Sequence, residues 1–503
     1  MSSAQWTETW SRYDAIEKSL PFVIAVALVL IIHRASQAPR SDVPLANPKK
    51  RPEFSRQRAK KDFVSHANRL VGDWFKTNPN KPMRLIADVE EITVLPPSLA
   101  QEIRNDKRLS FNQWTYKVLS IDTEQAFHGD LSGFEGFAAG TGGSNLVQTV
   151  VTKDLTKFLS DIEWHTIPMR DVILQLVARI SSRVFLGPEL CRNEAWLRIT
   201  REYTVTGFLA GEGLRPWPEF MRPFVHWVLP DCRKLRKEVS EARSIIESTV
   251  DRRRQLKDEL VAGGKDVPEY NDAIEWFEKA AKGAPYDPTP LQLSLSLAAI
   301  HTTTDLLTQV LTRISQNLDI LKPLREEITS VPQDEGWSKT SLYKMQLLDS
   351  IIKESQRMKP TDIVTMMRLA VEDVKLSDGT LIPKNTGLGV SSHRMWDPAV
   401  YPNPDQWKGT RFYEMRDEPG KQNSSQLVST SPDYLAFGHG QHACPGRFFA
   451  SNEVKIALVQ IIMKYDFELK EEVSPQVYKH GFVLSGDPSL ELRIKRRAEE
   501  TII

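Results

Sequence analysis

The sequence predicts a mainly α-helical protein with small β-sheets, an α+β fold in one folded domain behind an N-terminal membrane anchor. Three observations predict it. Apolar residues recur at helical spacing through Arg58–Trp74, Arg170–Leu186, Trp196–Leu209, Pro230–Gly263 and Leu291–Asn317. Strand-like runs are short: Met83–Asp88, Glu91–Leu95 and the pieces after Phe467. An uncharged apolar run, Leu20–Ile32, precedes all of them.

Composition narrows the class. Of 503 residues 40% are hydrophobic and 26% charged, as in an ordinary globular protein. A net charge of +1 offers no general attraction to nucleic acid, so no nucleic-acid partner is expected. Three cysteines, Cys191, Cys232 and Cys444, indicate no disulfide framework and suit a reducing compartment. There is no internal repeat, no P-loop, no GxGxxG before a helix and no CxxC pair.

Leu20–Ile32 is shorter than the roughly 18–20 residues of a full membrane span. A cleaved signal peptide is the alternative. Against it stand Glu8, Asp14 and Glu17 ahead of the run, and Pro39 directly after a cut at Ala38. The basic residues that follow (Arg34, Arg40, Lys49, Lys50, Arg51) favour a signal anchor with the body cytosolic. The division expected is a tail over 1–19, an anchor over 20–38, a proline-rich basic linker over 39–57 and the main folded domain over 58–503.

Arg58–Trp74 then reads as an amphipathic helix, Met83–Asp88 and Glu91–Leu95 as a strand pair, and Pro97–Asn105 as a helix start. Leu109–Ser144, glycine-rich with scattered aromatics such as Phe111, reads as a long irregular loop. Val147–Leu159 and Arg170–Leu186 read as helices. Leu214–Leu229 is rich in Trp217, Phe220, Phe224 and Trp227. Packing explains each singly, and contact with a pocket and a membrane explains the group. In Leu291–Asn317 the leucines at 291, 293, 295 and 297 alternate as in a strand, but the helical pattern lasts longer. Within it Ala298 and Ala299 leave room for a flat ligand, and the threonines after His301 can bond back to the i−4 carbonyl and open the helical ladder. Ser338–Lys359 reads as a helix in which Glu354 and Arg357 share a face. Ser377-Asp-Gly-Thr380 marks a hairpin, and Gly481-Phe-Val-Leu484 is a candidate for a hairpin tip reaching the pocket.

The most informative stretch is Phe437-Gly-His-Gly-Gln-His-Ala-Cys-Pro-Gly-Arg-Phe-Phe-Ala450. Its glycines allow close backbone approach to a flat ligand. Pro445 suits a helix start, and the apolar run after it keeps helical spacing. Cys444 therefore sits at a helix N-terminus, where a thiolate is favoured. A lone Cys-Pro-Gly is more simply a buried, inert cysteine. The full Phe-Gly-x-Gly-x-His-x-Cys-x-Gly pattern resembles the haem-binding loop of the cytochrome P-450 monooxygenases, with His442 where most members have Arg.

The resemblance runs from about Pro44 to the C-terminus and implies the cytochrome P-450 fold with haem bound axially by Cys444, the metal ligand. Phe437, Gly438 and Gly446 would shape the cofactor loop. His442 and Arg368 are candidate donors to haem propionates, with a surface salt bridge the competing reading for Arg368. Lys153 is a weaker candidate, more simply a solvated lysine. Ala298–Thr304 matches the family's oxygen-binding groove: Thr302 would be the catalytic hydroxyl, and His301 stands where the family usually has an acid. Glu354, Arg357 and Arg411 would form a structural, haem-retaining network. Ala298, Ala299, Ile363, Val364 and Met366 would face the substrate.

The implied activity is oxidation of a bulky lipophilic substrate with O2 and NADPH-derived electrons, since a thiolate on haem iron favours O–O cleavage. Lacking a dinucleotide fold, the chain would depend on an NADPH-cytochrome reductase, with cytochrome b5 a further partner, and Arg447 and Lys455 are candidate contacts. The implied location is the endoplasmic reticulum membrane, in contact with membrane lipid. The motifs resemble fungal enzymes of secondary metabolism, terpenoid tailoring in particular. Alternatives are a haem-thiolate enzyme of rearrangement or desaturation, against which Thr302 argues, and a non-catalytic membrane haem protein.

Overall fold

The computed structural model describes residues 41–50, 53, 55–119, 163–217, 219–331, 339–470 and 475–497. The anchor expected over 20–38, the helix expected over 147–159 and Lys153 lie outside them. No helix among the described residues is long and apolar enough to cross a membrane.

Helices carry the body. Met169–Leu190, Pro288–Ser315 and Arg447–Lys464 share one large core, joined by Glu194–Leu214, Pro230–Ala262 and Gln346–Met358. Their ends are set locally. Asn193 accepts from Trp196 N at 3.0 Å. Asp287 accepts from Thr289 N at 3.1 Å, with Pro288 in the first turn. Both satisfy N–H groups that no earlier carbonyl can reach.

The principal sheet runs Met83–Ile86, Glu91–Leu95, Gly387–Ser391, Val364–Ala370 and Leu109–Ser110, and only its second and third strands pair in parallel. The stretch expected to be a linker is docked on its edge: Ala46 N bonds Arg84 O, Arg84 N bonds Pro44 O, and buried Asn47 bridges Ala59 O and Ile86 O. The folded body therefore begins ahead of Arg58.

Val364–Ala370 carries a bulge. Thr365 faces Val390 but Arg368 faces Leu388, so Met366 and Met367 together oppose Gly389. Met366 takes φ 54°. Gly389 is needed opposite, since a Cβ there would stand 2.4 Å from Met367 Sδ and 2.7 Å from Val364 Cγ1.

Five expectations are corrected. The loop expected from Leu109 is, in its described part, a strand at Leu109–Ser110 and a helix at Phe111–Leu119. Ser338–Lys359 is two helices, Lys339–Lys344 and Gln346–Met358. The helix Pro288–Ser315 is unbroken; its threonines bond back to carbonyls without opening it. The Gly481–Leu484 tip packs on the first helix, Gln57–Thr77: Phe482 meets Phe63 at 4.9 Å and Gly481 N bonds Val64 O. The aromatic segment also fails to pack. Phe220 is 75% and Trp227 61% exposed, beside a short helix at Arg222–Val225.

Candidate active site

The loop from Phe437 is tied to itself and to the far end of the sequence. Cys444 N bonds Phe437 O at 2.8 Å and Gly438 N bonds Leu435 O at 2.8 Å. Gly440, at φ 84°, lies against Arg104, whose Cβ would be 2.4 Å from any Cβ added there. Gln441 N bonds Asn105 Oδ1, and His439 is held between Thr430 Oγ1 and the Gln101 amide. These bonds deliver Cys444 to the N-terminus of Arg447–Lys464, which Gly446 caps. Burial pushes the Cys444 thiol up; the backbone N–H groups of Gly446 and Arg447, with the Arg447 charge, oppose this. Cys444 nevertheless has an exposed side chain. The sulfur is therefore open to an approaching ligand at the start of that helix.

The long helix Pro288–Ser315 repeats that combination. It is buried along most of its length, yet Ala298 and Thr302, one turn apart, are exposed. Ala299 is half-buried. Thr302 Oγ1 donates to Ala298 O at 2.6 Å, leaving its lone pairs free to accept a hydrogen bond. His301 turns to the neighbouring helix. Its Nε2 lies 3.0 Å from Arg201 O, so that nitrogen carries the hydrogen, and burial disfavours its cation. No bond joins His301 to Thr302.

Arg368 is 2% exposed and its charge is unmatched. Nη1 donates to Met367 O at 2.7 Å, while Nη2 is buried with no partner. Burial pulls its pKa down to about 10. Phe111 lies beneath the guanidinium at 5.5 Å and stacks on His442 at 5.9 Å. Burial, and then Arg368, hold His442 below its usual range. The guanidinium, the imidazole and the aromatic face lie together, and the unpartnered buried N–H among them suits a carboxylate. Phe111 was not foreseen as part of this group.

Behind the loop Glu354 and Arg357 are fully buried. Arg357 Nε and Nη2 donate to Glu354 at 2.8 and 2.9 Å, and Arg411 Nε donates to Glu354 at 3.0 Å. Arg357 also bonds the carbonyls of Met395 and Pro404. The remaining residues expected at the substrate divide. Ile363 and Val364 lie in one apolar cluster with Phe63 and Trp114. Met366, itself in the bulge, lies in another with Leu95, Leu388 and Leu435. Lys455, expected at a partner-facing surface, is 4% exposed and bound to Asp349 at 2.6 Å and Leu342 O, so it is unavailable to a partner. Arg447 is half-buried, donates to Cys444 O at 2.9 Å and covers Phe448.

A cavity of about 1090 Å³ adjoins these elements. Leu297, next to Ala298, and Leu369, next to Arg368, are in its wall, while Cys444 and Thr302 are not.

An exposed thiol at a helix N-terminus, an exposed small-residue face on the helix Pro288–Ser315 and a buried arginine with an unpartnered N–H fit a porphyrin with a thiolate ligand. Cys444 would ligate the iron; Arg368 and His442 would hold its carboxylates. The comparisons agree. The family profile "Cytochrome P450" matches residues 209–492. Cytochrome P450 monooxygenase hepE of Aspergillus oryzae is 45% identical over 94% of this chain and 89% of that protein. Cytochrome P450 monooxygenase TRI1 of Fusarium sporotrichioides is 41% identical over 98% and 91%. A retinoic acid-bound cyanobacterial CYP120A1 structure superposes with a TM-score of 0.68 at 16% identity, covering 91% of this chain and all of that one, which shows the fold.

The chain belongs to the cytochrome P450 family. It is a haem-thiolate monooxygenase that uses dioxygen and NADPH-derived electrons.

Proposed function

We propose that this monooxygenase hydroxylates or further oxidises a bulky lipophilic substrate, a terpenoid or related fungal secondary metabolite, with electrons delivered by a membrane-bound NADPH-cytochrome reductase. The observation that carries the reading is that Cys444 at a helix N-terminus is exposed, as are Ala298 and Thr302 on a helix otherwise mostly buried. Haem, when bound there, supplies thiolate-assisted activation of dioxygen. Thr302 accepts a hydrogen bond at Oγ1 and returns a proton once its bond to Ala298 O is released. Ala298 leaves space beside it. The apolar groups around Ile363 and Val364 exclude water and turn a greasy substrate towards that face.

We also place the protein on the endoplasmic reticulum membrane, body cytosolic, with the exposed Trp217, Phe220, Phe224 and Trp227 against lipid. Cytochrome b5 is a second electron donor in this reading. Exposed tryptophans, apolar with a polar N–H, suit the membrane interface, and the phenylalanines add apolar area beside them.

The test is co-expression with a reductase in a terpenoid-producing host, followed by product identification and NADPH-dependent oxygen uptake. Wild type should give an oxygenated product and a thiolate-type spectrum of the reduced, carbon-monoxide-bound protein; Cys444→Ala should lose both. A thiolate-type spectrum surviving in Cys444→Ala overturns the ligand assignment. Oxygen-independent product overturns the oxygenase reading.

A further inference from the structure

We propose that the substrate carries an anionic group, a carboxylate, and that Lys60, Arg222 and Arg236 in the cavity wall hold it. This rests on the reading that a lipophilic molecule is oxidised beside Thr302, and it adds the polar end of that molecule.

Five cations line the cavity, Lys60, Lys117, Arg215, Arg222 and Arg236, against one carboxylate, Asp88. Two are neutralised within the protein. Arg215 pairs with Asp88, and Lys117 with Glu90. The other three meet no carboxylate among the described residues. Lys60 Nζ donates to Asp88 O at 2.6 Å. Arg222 Nε donates to Trp217 O at 3.1 Å. Arg236 donates to His226 O at 2.9 Å and Trp227 O at 3.3 Å, and its guanidinium lies 4.5 Å over the Trp227 ring. Carbonyls and an aromatic face fix where a cation sits without cancelling its charge.

Their place in the fold matters as much as their number. Trp217 and Trp227 are exposed aromatics, so the arginines bonded to them stand where the cavity meets the surface. Leu297 and Leu369 carry the same cavity inward to the neighbours of Ala298 and Arg368. A cationic mouth leading to an apolar interior selects an amphipathic acid: the body gains by burial and the carboxylate by charge-assisted hydrogen bonds.

The test compares palmitic acid with methyl palmitate, binding the haem-loaded full chain in neutral detergent micelles. Affinity is read by calorimetry and by the shift of the haem absorption band. Wild type should bind the acid about tenfold more tightly, and R222Q/R236Q should lose that preference while binding the ester unchanged. Raised salt should weaken the acid alone. Equal binding of acid and ester by wild type overturns the proposal, as does a variant that weakens both alike. It is also overturned, in favour of contact with an anionic membrane, if the variant changes only binding to phosphatidylserine vesicles. Failure of the oxygenase reading would show separately, as absence of NADPH-dependent oxidation of any probe by a protein that still prefers the acid.

Discussion

Arg357 and Arg368 are both buried cations close in sequence, and they are treated in opposite ways. Arg357 spends its donors on a carboxylate and two carbonyls, and Glu354 is shared with Arg411. Every charge in that network has its partner inside the chain. Arg368 has one carbonyl, an orphaned Nη2 and no carboxylate. A charge buried without a partner is costly. The chain therefore completes one arginine itself and leaves the other with a donor open to an anion. The difference separates a part of the fold from a part of a binding site.

The largest effect is expected for Glu354→Ala, which strands two buried guanidiniums. It should cost about 3–5 kcal/mol and a sharply lower unfolding midpoint; an unchanged midpoint would mean that the network is not what closes this region. Glu453 is an acidic counterpart of Arg368, likewise buried without a full set of partners. It is buried, takes one bond from Ser181 Oγ at 2.8 Å, and has an unpartnered Oε2. Burial raises its pKa from 4.5 to about 8. The folded protein thus holds a proton that the unfolded chain releases between those values, and stability falls as pH rises through that window. Glu453→Gln cannot ionise. Its advantage over wild type should grow from 4.5 to about 8 and reach about 1–3 kcal/mol in thermal melts. A pH-independent difference would contradict this.

Arg368→Leu should not destabilise the haem-free protein, since it removes an uncompensated charge, but haem should pass to a scavenging protein about tenfold faster. Loss of apoprotein stability without faster haem loss would put Arg368 in the same class as Arg357. The smallest change in stability, within about 1 kcal/mol, is expected for Thr302→Ala. Its signature is functional: less product per oxygen consumed, with the carbon-monoxide spectrum retained. Unchanged coupling would remove Thr302 from proton delivery.

Sequence made the locally encoded parts of this site legible. The Phe437–Ala450 loop, the helix through Thr302 and the Glu354/Arg357 pair each announce themselves within a few residues, by turn chemistry or helical spacing. What stayed hidden depends on distant partners. Phe111 under Arg368, and Arg104, Asn105 and Gln101 behind the loop, meet residues some three hundred positions away, and no local pattern encodes that. Lys455 reads as a surface lysine because lysines usually are; only the all-round burial of its helix and the facing Asp349 make it internal. The short helix Ala273–Ala281, started by Asp272, has too few turns to show a period. Trp217 and Phe220 look like core residues and are exposed, because composition names a side chain's preference and not which solvent meets it.

The bulge at Met366 and Met367 sets the phase of everything that follows on its strand. Side chains alternate between faces, so one extra residue hands the inward position to the other parity. A chimera that took this strand from a relative one residue shorter would keep its sequence character and its hydrogen-bonded neighbour, yet present Arg368 to the opposite face. In this segment length, more than residue type, decides which face of the sheet receives the guanidinium.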